Sequence, residues 1–390
     1  MNVTDSIINI GVYDKDLDLF EGQYPLKRGV TYHSYVILDD KITIMDTVDR
    51  RAKEEWLKNL DKVLHGKEPD YLVVSHMEPD HGACVQILCE KYPKLTIVGN
   101  VKTFMMIDEY FELPTSTKRL MVKEGDTLEL GKHILQFMMA PMVHWPEVMM
   151  SYEISEKILF SADAFGTFES ENEDWTFEAR RYYANIVGKY GIQVQNVLKK
   201  VNTLKVLKIC PLHGTILKDH LEEYIHYYQL WSTYTPEESG IVIACASIHG
   251  HTMDAVRYLQ HILEESGETV IVYDLCRQDL SEVVAAVFRF DRIVFAASSY
   301  DAGVFCPMEE LLAHMKSKNI QKRSVGFIEN GTWAPSAYKT MKTILETMKS
   351  LEYIEPVITL RGAMKEKDKV LLQEFAKAIR EGGCQDEICM

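Results

Sequence analysis

The segment Ser75-His76-Met77-Glu78-Pro79-Asp80-His81-Gly82 places two imidazoles and two carboxylates within six positions. It directly follows Tyr71-Leu72-Val73-Val74, an apolar run that reads as a buried strand. Pro79 argues against a regular helix across the segment, so the four side chains are expected on a loop at a strand end. Four such groups crowd a single small ion. They suit two ions, with His76 and Glu78 leaning to one and Asp80 and His81 to the other. A solvated polar loop is the bland alternative.

Further donors stand at other predicted strand ends. Ala140-Pro141-Met142-Val143-His144-Trp145-Pro146 holds a histidine between two prolines. Phe160-Ser161-Ala162-Asp163-Ala164-Phe165-Gly166 holds a lone carboxylate, and Lys208-Ile209-Cys210-Pro211-Leu212-His213-Gly214 ends in a histidine and a glycine. Strand ends are where a layered fold gathers its site. His76, His81, His144 and His213 with Glu78, Asp80 and Asp163 give oxygen and nitrogen donors and no thiolate. Such a set suits Fe(II) and Fe(III) better than copper(I) or an iron-sulfur cluster. Three carboxylates offset much of the charge of two ferrous ions, and Asp163, alone at its strand end, is the expected bridge. His33, His65, His133, His220, His226, His261 and His314 lie in strands, helices or charged contexts and read as structural or surface residues.

The elements that must hold these groups fall in two halves. Residues 30–38 and 42–46 read as strands joined at Asp39-Asp40, followed by a helix over about 51–64. Strands are predicted at 119–122, 127–130, 134–139, 148–154 and 158–160, and a long helical stretch over about 175–200. This mixture implies two sheets covered by helices. Thr235-Pro236-Glu237-Glu238-Ser239-Gly240 is a polar joint, and a domain boundary is placed there, giving 1–236 and 237–390. Beyond it strands and helices alternate, with five strands at 241–246, 270–273, 292–297, 324–328 and 357–360 and helices between them, one over 335–350. The pattern is that of a parallel doubly wound sheet.

In such a sheet the ligand lies beyond the carboxyl ends of the strands. The first strand there ends in Ser247-Ile248-His249-Gly250-His251-Thr252 and opens a helix, which makes a phosphate cradle of hydroxyls, one glycine and free amides. The third ends in Ser298-Ser299-Tyr300-Asp301-Ala302-Gly303, and the fourth in Glu329-Asn330-Gly331-Thr332-Trp333-Ala334. No Gly-x-Gly-x-x-Gly or Walker lysine is present, which argues against dinucleotide or ATP. A phosphate loop with Tyr300 and Trp333 nearby suits a phosphorylated planar ring, FMN.

Composition narrows the class. The 390 residues carry 43 basic and 58 acidic side chains, a net charge of -15, which disfavours nucleic acid and anionic membrane surfaces. No run approaches a membrane span and the amino terminus has no signal-peptide pattern, so a cytoplasmic protein is expected. Of the eight cysteines, six are scattered singly and read as free thiols of a reducing compartment; Cys384 and Cys389 make no metal knuckle alone.

Taken together, both halves resemble the flavodiiron proteins (A-type flavoproteins) over nearly the whole chain. That family's signature is His-x-Glu-x-Asp-His, then a distant His, an Asp and a final His, matched here by His76, Glu78, Asp80, His81, His144, Asp163 and His213. Phe20-Glu21-Gly22 departs from the histidine that members often carry after that phenylalanine, and the interval from Asp163 to His213 is shorter than in members compared. The resemblance implies an αββα metallo-β-lactamase-like sandwich followed by a flavodoxin-like domain, so α+β and then α/β. It implies FMN and a di-iron centre, with no catalytic residue beyond the metal ligands. The implied activity passes electrons from an external donor, a rubredoxin-like protein or reduced deazaflavin, to O2 or NO, giving water or nitrous oxide. It further implies a head-to-tail homodimer or a dimer of dimers; the fused rubredoxin or reductase modules of longer members are not expected, because the chain ends soon after the flavodoxin part. The competing class is a dinuclear zinc hydrolase, against which Glu78 argues because hydrolase relatives usually have histidine there. A redox carrier with a degenerate metal site is a third.

Overall fold

The structure, a computed structural model, describes residues 2–168 and 174–382. Cys384 and Cys389 lie outside the described residues. The chain divides into two compact units, Met1–Tyr183 with Ile192–Gln229, and Ala184–Gly191 with Leu230–Met390.

The first unit is built on two sheets. One runs Ile7–Asn9, Tyr35–Ile37, Thr43–Met45, Tyr71–Val73, Thr96–Gly99, Lys118–Met121 in spatial order, and the other Thr127–Glu129, Ile134–Met139, Met149–Glu153, Ile158–Phe160, Lys208–Cys210. Ile7, Ile37, Met45, Val73 and Val98 of the first sheet share one buried cluster with Leu135, Phe137, Met149 and Phe160 of the second. Leu135 and Phe137 are two positions apart, as the period of a strand with one buried face requires. The expected strand over 30–38 is broken into Val30–Tyr32 and Tyr35–Ile37, because the backbone N–H of His33 turns to the carbonyl of Leu212 at 2.8 Å.

Strand direction decides where the loops emerge. Thr43–Met45, Tyr71–Val73 and Thr96–Gly99 are parallel, so Asp46 and Ser75 leave the sheet at one end. Ile158–Phe160 and Lys208–Cys210 are parallel too, which carries Asp163 and His213 to one end of their sheet. Ile134–Met139 runs the same way, since two antiparallel pairings separate it from Ile158–Phe160, and its loop brings His144.

Two helical expectations are corrected. Pro79 starts a short helix, Pro79–Gly82, rather than forbidding one. At the first helical position its missing N–H has no intrahelical acceptor to lose. The long helix over 175–200 is instead Trp175–Tyr182, a π-helical Tyr183–Val187, a 3-10 turn Gly188–Tyr190 and then Gly191–Val201. Gly191 sits so close to the end of the Leu221–Ser232 helix that a Cβ there would lie 2.3 Å from the carbonyl oxygen of Ser232.

The second unit is a parallel sheet in the order Val270–Asp274, Glu238–Ala246, Phe290–Tyr300, Gln321–Asn330, Lys349–Tyr353, the doubly wound order 2-1-3-4-5. Helices His251–Glu265 and Glu366–Glu381 bury Val256, Leu259, Leu263, Leu372 and Phe375 with Ile241, Ile243 and Val294 of the sheet. The predicted helix over 335–350 ends earlier, at Leu345, and Lys349–Tyr353 is a strand. Ile358–Leu360 then pairs farther along Gln321–Asn330, so the last place in the sheet is shared by two short strands. Pro356 lies between them, where a residue without an N–H cannot serve a ladder. The Arg323 guanidinium is buried and donates to the carbonyls of Tyr234 (2.7 Å), Val287 (2.8 Å) and Phe288 (2.9 Å). It fastens the chain before the first strand to the sheet.

Candidate metal centre and ligand cavity

All seven predicted donors of the first unit come together. His76, Glu78, His144 and Asp163 form one group and Asp80, His81 and His213 another, the donor atoms within each lying within 4.8 Å of one another. In the first, His144 Nε2 is 3.0 Å from both Glu78 Oε2 and Asp163 Oδ2, and His76 Nε2 is 3.1 Å from Glu78 Oε2. In the second, His213 Nε2 is 2.9 Å from His81 Nε2 and 3.1 Å from Asp80 Oδ2. Asp163 reaches both: Oδ2 faces His144 and His76, and Oδ1 lies 3.4 Å from His81 Nε2.

Supporting hydrogen bonds fix the imidazoles. His76 donates from Nδ1 to Glu147 Oε1 at 2.8 Å, and the same oxygen accepts the Met77 N–H at 2.8 Å. His213 donates from Nδ1 to the Thr31 carbonyl at 2.7 Å. Both rings are therefore held with Nε2 turned inward, the second-layer arrangement that sets tautomer and ring direction in metal sites. Asp46, buried, accepts the Ser75 N–H at 2.6 Å and so tethers the start of the loop. Gly214 follows His213 at φ +83°, and a Cβ there would stand 2.1 Å from Thr167 Oγ1. Only glycine fits that turn.

The electrostatics show a set of donors awaiting positive charge. Burial alone opposes ionising any of these groups. Against it, the Asp163, Glu147 and Glu78 carboxylates hold His76 well above its usual range, and Asp163 with Glu78 pushes His144 up to about 9. Burial is likewise outweighed at Glu78 and Asp163, which the facing histidines hold well below the carboxylate range. At Asp46 burial outweighs the Ser75 hydrogen bonds and the nearby His81 and His76, and raises it to about 6. Both Asp80 carboxylate oxygens and Asp163 Oδ1 are buried without a hydrogen-bond partner among the described residues. Buried carboxylate oxygens and facing ring nitrogens directed at common centres are what a pair of cations satisfies, so the donor set fits two metal ions.

Three residues near the centre escaped the sequence reading. Glu147 lies three positions after His144, a carboxylate in an otherwise apolar stretch, which was the available signal. Asp46, at the end of a predicted strand, was the second. Tyr182 had none: its ring lies 5.8 Å from that of His213, and its buried hydroxyl has no hydrogen-bond partner among the described residues. Burial and the nearby Asp163 and Asp80 keep that phenol protonated well above its usual value. His33 is buried and donates to the Gly214 carbonyl at 2.6 Å, the structural part assigned to it. A separate apolar cavity of about 590 Å³, between Val101, Met121, Met139, Pro141 and Val148, contains none of the seven donors.

In the second unit a cavity of about 570 Å³ opens at the carboxyl ends of the strands. Of the predicted residues, Ser247, Ile248, His249, His251, Thr252, Ser298, Ser299, Tyr300, Asp301, Ala302, Asn330, Gly331, Thr332 and Trp333 line it. Gly250 is not among the lining residues; it stands at φ +92° immediately before the His251–Glu265 helix, whose first amides carry no side-chain cap. Two further predicted residues do not line the cavity. Glu329 is buried and accepts from Thr359 Oγ1 at 2.9 Å and the Tyr338 N–H at 3.0 Å, because it closes the helix behind the sheet. Gly303 pairs back on Tyr300, and its carbonyl accepts from Ser336 Oγ. Ala334, at the end of the fourth loop, lines the cavity too, and Ser336 and Gly362 line it unforeseen. Trp333 is 89% exposed and Tyr300 45%, two open aromatic surfaces beside an uncapped helix start. That combination fits a flat ring carrying a phosphate.

Comparison with known proteins agrees with both halves. A family described as ODP family beta lactamase matches residues 30–214. The chain is 29% identical to an uncharacterized protein of Methanocaldococcus jannaschii, over 98% of each. It is 28% identical to the anaerobic nitric oxide reductase flavorubredoxin of Aliivibrio salmonicida, over 85% of this chain and 69% of that one. It spans 52% of the diflavin flavoprotein A 1 of Synechocystis, so several relatives are much longer. Among solved structures, the rubredoxin oxygen:oxidoreductase of Desulfovibrio gigas superposes with a TM-score of 0.90 at 24% identity, over 98% of both chains. The flavodiiron protein of Giardia intestinalis gives 0.91 at 21% identity, over 97% and 96%. Among the described residues no helix is long and apolar enough to cross a membrane. With a metallo-β-lactamase-like first part and a flavodoxin-like second part, the chain has the fold of the flavodiiron proteins along nearly its full length and is similar in sequence to diflavin flavoproteins and a flavorubredoxin.

Proposed function

We propose that the chain is a flavodiiron oxygen or nitric oxide reductase, holding two irons on His76, Glu78, His144 and Asp163 and on Asp80, His81 and His213, and FMN at the cavity of the second unit. When bound, the flavin supplies electron storage and the irons supply binding and reduction of a diatomic, O2 to water or NO to nitrous oxide. The observation that carries this reading is Asp163, one carboxylate with an oxygen turned to each of two donor groups. The chain's own contribution is geometric and protic. Glu147 and the Thr31 carbonyl keep two imidazoles in the ligating tautomer, and three carboxylates offset the positive charge. The Tyr182 hydroxyl keeps a proton within the same buried space.

An external donor, a rubredoxin-type protein or reduced deazaflavin, feeds the flavin in this reading. A head-to-tail homodimer, or a pair of such dimers, brings one subunit's flavin to the other's metals in a cytoplasmic protein. The two relatives named for oxygen and nitric oxide chemistry support the substrate class without choosing between the gases. A dinuclear zinc hydrolase is disfavoured by Glu78 and has no use for a flavin cavity.

The test is anaerobic. The purified protein is fully reduced, then exposed separately to O2 and to NO while flavin absorbance, products, iron and zinc are followed. Two irons and one FMN per chain, with fast flavin reoxidation and water or nitrous oxide formed, is the expected result. Two zincs, with reoxidation no faster than that of free flavin and yielding peroxide, would replace the reductase by the hydrolase.

A further inference from the structure

The cavity of the second unit is lined by no lysine or arginine among the described residues. A phosphate monoester is nonetheless doubly charged above its second ionisation, near pH 6. The only lining side chains able to become cationic are His249 and His251, and they flank Gly250 in the turn that opens the His251–Glu265 helix. Both are exposed toward solvent rather than committed to the core. The helix start offers amides and a partial positive charge, which favours an anion, and a full positive charge beside it adds to that attraction.

The other charges around the two rings are few. Asp254 on the same helix has Oδ2 3.7 Å from Nδ1 of His251. After the neighbouring strand, Asp274 accepts the Cys276 N–H at 3.0 Å and faces Arg277 at 4.0 Å, and Cys276 Sγ lies 3.9 Å from the Ser247 carbonyl. Asp301 lines the cavity from the third strand's loop. Arg361 is directed at the Thr332 carbonyl at 3.5 Å, outside the lining. None of the acidic neighbours can itself bind phosphate.

We propose that His249 and His251 supply the positive charge that recognises the FMN phosphate in this chain, so that flavin affinity depends on pH where imidazole and phosphate titrate. The proposal rests on the reading of this cavity as the FMN site. Binding a dianion raises an imidazole's proton affinity, so this contribution is complete at low pH and fades as pH rises through the bound-state titration. The phosphate acts oppositely, losing its second charge as pH falls below about 6. Affinity for FMN therefore peaks between these limits and falls on either side. Riboflavin, the same ring without phosphate, does not follow this course.

The experiment uses the full-length protein with its metals, stripped of flavin and titrated with FMN and with riboflavin by fluorescence quenching from pH 5.5 to 8.5 at low salt. For the unaltered protein the FMN dissociation constant is expected to rise about tenfold between pH 6.5 and 8.5, as two half-exposed charge pairs worth a few-fold each would give. The riboflavin constant stays flat. In the double variant His249→Asn/His251→Gln, FMN affinity is flat over that range and equals the unaltered protein's value at pH 8.5, with riboflavin affinity unchanged. If the double variant loses riboflavin as well, the single variants carry the test, each removing part of the slope. A riboflavin curve that rises in parallel, or variants that keep the full FMN slope, would overturn the proposal. Failure of the unaltered protein to bind either flavin overturns the FMN reading itself, and this inference with it.

Discussion

Asp163 is the residue on which the two donor groups depend. Its Oδ2 lies 3.0 Å from His144 Nε2 and its Oδ1 3.4 Å from His81 Nε2, so removing its charge affects both positions. Asp163→Asn is expected to reduce bound iron from two per chain to one or fewer, measured by elemental analysis, with the fold unchanged by circular dichroism. Retention of both irons would show that the bridge lies elsewhere. Glu147 acts one layer out, through the His76 Nδ1 proton. Glu147→Gln keeps the size but weakens the orienting bond, and metal affinity should fall about 10- to 100-fold. Competition with a chelator measures that loss. Glu21, the residue after Phe20, is an exposed carboxylate whose ionisation the nearby Glu78 and Asp80 charges oppose. Its carboxyl therefore feels the charges of the metal site, which the sequence alone could not show.

At the scale of elements, the centre depends on turns more than on strands. The His213–Gly214 turn is held by the Gly214 N–H on Thr31 Oγ1 at 2.7 Å and by His33 on the Gly214 carbonyl. With φ at +83° and Thr167 Oγ1 2.1 Å from an added Cβ, Gly214→Ala is expected to cost about 2–4 kcal/mol. Denaturant unfolding measures the loss, and a loss under about 0.5 kcal/mol would mean that the turn can relax. In the second unit the Arg323 guanidinium donates to three carbonyls of two segments, although burial lowers its proton affinity to about 10. Arg323→Met keeps the bulk and leaves those carbonyls unsatisfied, and about 2–4 kcal/mol of stability should go with them. An unchanged denaturation midpoint would refute that accounting.

For the whole molecule, the metals are expected to matter to stability as well as to chemistry. Without cations the buried carboxylates Asp80 and Asp163 have oxygens that no hydrogen bond satisfies. Ions bound at a thousand times their dissociation constant stabilise the folded state by about 4 kcal/mol. Chelation should therefore lower the thermal transition of the Met1–Gln229 part while leaving the flavin-monitored transition of the second in place. Calorimetry with simultaneous flavin fluorescence separates the two. A common shift of both would mean that the units unfold as one.

The sequence by itself determined the donor chemistry, because residue types and their places after apolar runs are local facts. His76, Glu78, Asp80 and His81 share one loop, and the parallel alternation after residue 240 names its own sheet. The short reach of such reasoning also explains its errors. It ran one helix across 175–200, where Gly191 makes a close backbone approach that is visible only in space. It assigned Glu329 to the cavity, although the side chain at that strand position turns to the helix behind. Only the tertiary structure decided how the donors divide. His81 and His213 are 132 positions apart yet have ring nitrogens 2.9 Å from each other. Parallel pairing of Ile158–Phe160 with Lys208–Cys210 and of Thr43–Met45 with Tyr71–Val73 is what delivers their loops to one end of each sheet. That pairing is a long-range choice, made by burial of whole sheet faces rather than by any residue in the loops.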